Sequence, residues 1–147
     1  MSKYSLKRFS LLHSALATPP PIVASLQTDG SFRYKDCLSR TACILKDEGE
    51  VYQSVKTYFN HINSYESEWC SVLDGIKLTQ SHQIGELQLE NDNLSVIHCL
   101  VNQRIPKHPY AANYYKEVLM AARYMDWVEI RWIPRKLNKA DGLFRLS

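Results

Sequence analysis

Four carboxylates stand where a fold can gather them: Asp29 after a strand-like run, Glu68 on a helical stretch, Asp92 after a later strand, and Asp141 at the head of the last helical stretch. Carboxylate oxygens are hard ligands. Mg²⁺ needs only a few of them, because it keeps several waters and takes the rest of its shell from a phosphate. Two such cations held roughly 4 Å apart activate a water and stabilise the leaving oxygen in an in-line phosphoryl displacement. Cys37, Cys43, Cys70 and Cys99 form no C-x-x-C pair or other ligand spacing. Four acids without a Cys/His cluster therefore select Mg²⁺, with Mn²⁺ as a substitute, over Zn²⁺.

Each acid needs a carrier. Ile22-Val23-Ala24-Ser25-Leu26 has strand character and runs into Thr28-Asp29-Gly30-Ser31, which predicts that the strand opens into a turn at Asp29. Gly30 lacks a Cβ and is expected to let a sugar-phosphate backbone come close. Residues 39–45 alternate as a second strand, 46–50 form a polar turn, and 51–59 give a third strand, so the first three make an antiparallel meander. Trp69, Val72, Leu73 and Ile76 then recur at helical spacing with Gly75 beside them. A glycine inside a helix costs roughly 1 kcal/mol, which close packing on a sheet offsets. Glu66 and Glu68 are two apart and point to different sides of this helix, and Asp74 is expected to face solvent.

Residues 84–89 read as a fourth strand and 94–101 as a helix. A longer helix over 110–125, a fifth strand over 127–133 and a short terminal helix over 138–146, N-capped by Asn138, complete the chain. The order β-β-β-α-β-α-α-β-α predicts an α/β fold. Its five-stranded mixed sheet is an antiparallel meander followed by parallel strands, flanked by helices. Ligands of such a sheet collect beyond the carboxyl ends of its parallel strands, where Asp29 and Asp92 are expected.

At 147 residues the chain has the size of one domain. No apolar run approaches the ~18 residues of a membrane span, so no membrane partner is expected. The net charge of +3 accommodates a polyanion without demanding one. Cys43, Cys70 and Cys99 lie among apolar neighbours and read as buried thiols in a reducing, intracellular compartment. Residues 1–21 read as a basic extension before a domain at 22–147, since Lys3, Lys7 and Arg8 precede the first acid, Asp29. An amphipathic helix using Tyr4, Leu6, Phe9, Leu11, Leu12 and Leu16 is the leading reading of that extension. A cleaved organelle presequence and a cationic arm on nucleic acid are its alternatives. His61, His82 and His98 read as ordinary histidines, and Trp69, Trp127 and Trp132 as core aromatics.

At the four acids the chain resembles the type 1 ribonuclease H family. Thr28-Asp29-Gly30-Ser31 is similar to the family's T-D-G-S. Glu68-Trp69 with Leu73-Asp74-Gly75-Ile76 is similar to E-Y-x-A-L-x-x-G-L. Asp92-Asn93 stands where the family has D-S, and Arg135 to Leu143 is close to R-x-x-N-x-x-A-D-x-L. The resemblance covers residues 22–147.

It implies a ribonuclease H-like fold and an endoribonuclease that hydrolyses the RNA strand of RNA–DNA hybrids with two Mg²⁺. Asp29 then bridges both ions, Glu68 and Asp92 complete one site, and Asp141 holds the other. Gly30, Ser31 and Asn93 lie near the RNA backbone and its 2′-hydroxyls, the groups that distinguish RNA from DNA. Arg135, Lys136 and Asn138 complete the substrate contacts, and a monomer is favoured. Two departures stand out. The loop before Asp141, Pro134-Arg135-Lys136-Leu137, lacks the His that many members carry there. The basic helical protrusion of some members is also absent, which leaves hybrid binding to Arg104, Lys107 and His108, to Arg135, Lys136 and Lys139, or to the amino terminus. The alternatives are a non-catalytic hybrid-binding module and another ribonuclease H-like nuclease, such as a junction resolvase.

Overall fold

A computed structural model describes residues 10–145. Its elements in chain order are β1 (Ser10–Ser14), β2 (Ala24–Arg33), β3 (Leu38–Asp47), β4 (Glu50–Tyr58), α1 (Ser64–Ser81), β5 (Glu86–Asn91), α2 (Leu94–Asn102), α3 (Pro109–Arg123) and β6 (Trp127–Trp132). Two 3₁₀ segments, Arg135–Leu137 and Lys139–Arg145, follow where a terminal α-helix was expected. The six strands form one sheet in the order β1-β6-β5-β2-β3-β4. Pairings β2/β5 and β5/β6 are parallel, while β2/β3, β3/β4 and β1/β6 are antiparallel. The predicted meander followed by parallel strands is thus the observed architecture, with one strand added at an edge.

That added strand corrects the reading of the amino terminus. Ser10–Ser14 pairs with β6, and Leu12 packs against the core while Leu11 stays exposed. Five residues of mixed polarity fit either period, so periodicity alone did not separate strand from helix. The unpaired edge of β6 decides it, because an open row of N–H and C=O groups is satisfied by a strand and not by a helix. Tyr4, Leu6 and Phe9 lie outside the described residues.

β2 is also longer than expected. It does not turn at Asp29 but pairs with β3 all the way from Ser25↔Lys46 to Arg33↔Leu38. Its turn comes at residues 34–37, closed by Arg33 Nη2 on Asp36 Oδ2 at 2.6 Å and by Cys37 in the left-handed region, φ 57°. The parallel pairing with β5, in contrast, stops at Gln27↔Glu90. The sheet therefore forks on one side of β2, and Asp29 and Asp92 both stand just past the fork.

One face of the sheet packs Leu26, Leu45, Leu87, Leu89, Val128 and Ile130 into the main core beneath α1 and α3. On the other face Ala42 and Ile44 are covered by Ala140 and Leu143 of the last 3₁₀ segment. Trp69 is fully buried in the main core, Trp127 is buried and Trp132 packs at its margin. All four cysteines are free thiols, Cys43 and Cys70 buried, and burial pushes the Cys70 thiol up to about 12. Among the described residues no helix is long and apolar enough to cross a membrane.

Two glycines set the distance between α1 and β2. A Cβ on Gly75 would lie 2.6 Å from Thr28 Cγ2 and 2.9 Å from Leu26 Cδ2, side chains that are themselves fully buried. A Cβ on Gly30 would lie 2.5 Å from the Ser67 carbonyl carbon. Gly30 is therefore required by the helix that crosses it, which corrects the expectation that the vacant side faces nucleic acid. Backbone cannot yield as a side-chain tip can, and overpacking of this kind costs about 3 kcal/mol. Gly30→Ala is expected to lower the urea midpoint by that equivalent. Gly142→Ala, where a Cβ meets nothing within 4 Å, is expected to leave it unchanged; equal midpoints for the two variants would refute the account.

Candidate metal centre

The fork in the sheet brings together Asp29, Glu68 and Asp92. One carboxylate oxygen from each lies within 4.8 Å of the others, and Asp29 and Glu68 are buried while Asp92 is half-buried. Asp29 projects from β2 where β5 has ended, so no neighbouring strand covers it on that side. Glu68 sits in the second turn of α1, and its Oε1 accepts a hydrogen bond from the Gly30 backbone N–H. The close approach permitted by Gly30 is what makes this bond attainable. Glu66 turns to the helix start instead, where its Oε1 accepts from Ile62 N–H at 2.9 Å and its Oε2 from Tyr114 at 3.1 Å.

Asp92 is placed by an amide that the sequence reading did not single out. Asn91, fully buried at the end of β5, donates through Nδ2 to the Thr28 carbonyl at 3.1 Å and to Thr28 Oγ1 at 2.9 Å. Its Oδ1 accepts from Asn93 N–H at 2.7 Å, which folds the chain around Asp92. Asn93 in turn caps α2 by accepting from Val96 N–H at 3.1 Å. The available signal was a polar amide closing an otherwise alternating strand.

Asp141 lies half-buried in the last 3₁₀ segment, outside the group of three. Its charge nevertheless reaches Asp29 and Asp92 and raises both carboxyls. Asn138 holds this segment in place. It is buried, donates through Nδ2 to the Thr28 carbonyl at 2.9 Å and to Asp92 Oδ2 at 3.4 Å, and accepts from Ala140 N–H at 3.1 Å. The capping role read from the sequence is thus made on a 3₁₀ segment, and the amide is engaged inside the protein. Gln27 adds a second tie, accepting from Lys139 N–H at 2.9 Å and donating to Glu90 at 3.0 Å.

Among the other sequence-derived residues, Ser31 is half-buried and its carbonyl accepts from Ser67 Oγ at 3.1 Å. Arg135 and Lys136 are exposed and, with Lys139 and Arg145, line an open concavity of about 710 Å³ beside Asp141. Asn93 lines a second groove of about 550 Å³ together with Tyr65, Tyr110, Arg104, Lys107 and His108. Asp74 does not face solvent. It is buried, and its Oδ2 accepts from Thr41 and from Tyr58 at 2.7 Å each. His61 is buried within 2.6 Å of Ser39 Oγ, a core histidine of the ordinary kind.

Electrostatics at the fork fit a site that could hold a divalent cation. Burial is the largest cause that holds Asp29 far above the ordinary carboxylate range, followed by the charges of Glu68 and Asp92 and a hydrogen bond to Glu68. Glu68 is also raised by burial, against the Gly30 N–H that favours its ionised form. Burial raises Asp92 as well, opposed by Asn138 and by the nearby charge of Arg135. Three oxygens this close repel one another unless a proton or a cation sits among them. An all-carboxylate donor set of this kind fits Mg²⁺ or Mn²⁺.

The family model described as reverse transcriptase-like matches residues 27–142, most of the described chain. The chain belongs to this family. Its fold is that of type 1 ribonuclease H. The N-terminal RNase H domain of Rv2228c from Mycobacterium tuberculosis aligns with a TM-score of 0.75 at 17% identity, over 83% of this chain and 90% of that one. RNase H1 from the archaeon Halobacterium salinarum aligns with a TM-score of 0.75 at 17% identity, over 83% and 94%. LC11-RNase H1, in complex with an RNA/DNA hybrid, aligns with a TM-score of 0.73 at 15% identity, over 84% and 99%. No curated protein matches the sequence. At these identities the ribonuclease H-like fold is shared while most side chains are not.

The raised carboxyls set a pH dependence. Folded Asp29 and Glu68 bind protons more tightly than their unfolded counterparts, whose pKa values lie near ~4. The stability this contributes is complete below that value and is lost as pH rises through the folded pKa values. In EDTA the urea midpoint is therefore expected to fall between about pH 5 and pH 9. Asp29→Asn is expected to flatten that fall, and Mn²⁺ to counter it in the parent protein only. Identical pH profiles for parent and variant would exclude the cluster as their source.

Proposed function

We propose that this chain is an endoribonuclease that hydrolyses the RNA strand of RNA–DNA hybrids, using two Mg²⁺ ions for which Mn²⁺ substitutes. The observation that carries the reading is the convergence of Asp29, Glu68 and Asp92 oxygens within 4.8 Å, at the fork of a ribonuclease H-like sheet. Asp29 would serve both ions, Glu68 and Asp92 one of them, and Asp141 the other. Ions held by these residues would supply activation of a water and charge stabilisation of the leaving oxygen.

The chain's own residues do the holding. Gly30 N–H fixes the Glu68 carboxylate, Asn91 fixes the backbone turn that carries Asp92, and Asn138 ties the Asp141 segment to Thr28. A carboxylate locked by a hydrogen bond loses little freedom when a cation arrives, which is what preorganisation contributes. Arg135 sits close enough to Asp92 to lower its carboxyl pKa. It brings positive charge into the loop where many members of the resembled family carry a histidine, so this loop supplies electrostatic attraction.

The hybrid is read through its shape and its 2′-hydroxyls. Ser31 stands two residues past Asp29 on β2, and Asn93 directly follows Asp92. The groove past Asn93, lined by Tyr65, Tyr110, Arg104, Lys107 and His108, and the cationic concavity of Arg135, Lys136 and Lys139 suit two phosphate backbones flanking the centre. LC11-RNase H1, which shares the fold, is known in complex with an RNA/DNA hybrid. The centre is assembled within one chain, as a monomeric enzyme requires, and the free thiols suit a reducing intracellular compartment.

A labelled RNA–DNA hybrid offered beside duplex RNA, duplex DNA and a four-way DNA junction tests the proposal. In Mg²⁺ or Mn²⁺ only the RNA strand of the hybrid is expected to be cut. Cleavage should vanish in EDTA and fall by at least about a hundredfold in Asp29→Asn, the scale on which removing one electrostatic group acts. Binding without cleavage would convert the reading to a hybrid-binding module, and cleavage of the junction to a resolvase.

A further inference from the structure

Across β2 and β3, Asp29 pairs with Ala42 and Ser31 with Arg40. Paired residues share a face of the sheet, so Arg40 stands diagonal to Asp29 on the same side. Such diagonal neighbours have Cβ atoms ~7 Å apart, about the spacing of adjacent phosphates along one nucleic-acid strand.

Arg40 is held at its guanidinium and at its backbone carbonyl. Its guanidinium carbon lies over the Phe144 ring, 5.2 Å from the centroid. Phe144 follows Asp141 in the segment whose Ala140 and Leu143 pack on Ala42 and Ile44. The Arg40 carbonyl accepts from Ser67 Oγ at 3.1 Å, and the same hydroxyl reaches the Ser31 carbonyl at 3.1 Å. A guanidinium carries its N–H donors in one plane, the arrangement that grips a phosphate with two parallel bonds, and the ring beneath attracts its charge. Arg40 is half-buried, so part of its surface is open on that face.

We infer that Arg40 seats a backbone phosphate of the cleaved strand next to the scissile one, with Phe144 as the platform that orients it. The inference rests on the proposed hybrid hydrolysis and adds a substrate-binding residue that none of the sequence motifs contains. A phosphate seated on Arg40 fixes the neighbouring phosphodiester over Asp29. One ring thereby connects substrate position to the segment that bears Asp141.

Arg40→Met keeps an apolar stem on Phe144 and removes the charge. In the full chain it is expected to raise KM for the hybrid about tenfold, with kcat within about twofold of the parent. The slope of log Kd against log salt should drop by ~0.7–0.9, the value of one phosphate contact. Arg40→Lys should restore the slope but only part of the affinity, because a point charge replaces a planar fork. Thermal stabilisation by Mn²⁺ should be the same in all three proteins. An unchanged KM and salt slope in Arg40→Met would overturn the inference, as would loss of Mn²⁺ stabilisation, which would make Arg40 only a clip for the Asp141 segment. If the parent binds hybrid without cutting it, the salt slope alone decides. Failure of the parent to bind hybrid would overturn the hydrolysis reading and this one together.

Discussion

The close approach of α1 to β2 is the constraint on which the rest depends. Gly30 and Gly75 meet opposite stretches of one helix against one strand, and in both places a single added carbon would fall inside van der Waals distance. Near Gly75 the helix packs directly on the side chains of Leu26 and Thr28. With α1 at that height, the Glu68 carboxylate reaches the Gly30 N–H and the oxygens of Asp29 and Asp92. A helix standing one methyl group further out would still bury its apolar face, but it would leave Glu68 short of the fork. Packing and chemistry here use the same missing atoms.

Thr28 does a comparable service on the other side. Its carbonyl, freed where β5 turns away from β2, accepts from both Asn91 and Asn138. Each amide holds a different acid-bearing segment, one the turn at Asp92 and the other the 3₁₀ stretch of Asp141. A backbone acceptor left open by the fork is thereby satisfied twice, as a buried carbonyl with two lone pairs can be. The acids come from four separate parts of the chain, and the two central contacts that register them are both made to β2.

What the sequence made legible follows from period and spacing. The alternation of β3, β4 and β6 and the 3.6-residue recurrence along α1 are strong local signals, and they placed the meander, the helix and the acids in order. Asp74 was misread because an amphipathic helix was assumed. From Ser67 to Ile76 every residue of α1 is buried, between the sheet on one side and α3 on another. A helix without a solvent face gives no side on which a polar residue must be exposed, and Asp74 is instead satisfied by Thr41 and Tyr58. β1 escaped because five residues do not fix a period, and because the edge it covers belongs to a strand more than a hundred residues later. The latches Asn91 and Asn138 depend on a carbonyl, Thr28 O, whose availability is a property of the fork and of no local pattern.

The buried acids also explain why so much polar structure surrounds the start of α1. Three carboxylates packed into one cleft oppose folding on their own, since ionising them in a low-dielectric site is costly and protonating them at neutral pH is costly as well. Such a site persists only where the surrounding framework over-determines it. Here the start of α1 is fixed by the Asn63 cap, with Glu66 N–H donating to Asn63 Oδ1 at 2.8 Å, by Tyr114 on Glu66, and by Ser67 on the carbonyls of Ser31 and Arg40. Each of these lies within one turn of Glu68, on the residues that would move first if the repulsion among the acids were relieved by swinging the helix away. A network fully satisfied in this way is stiff. Its stiffness keeps Glu68 at the fork whether or not a cation is bound, so binding a cation requires little rearrangement of the protein.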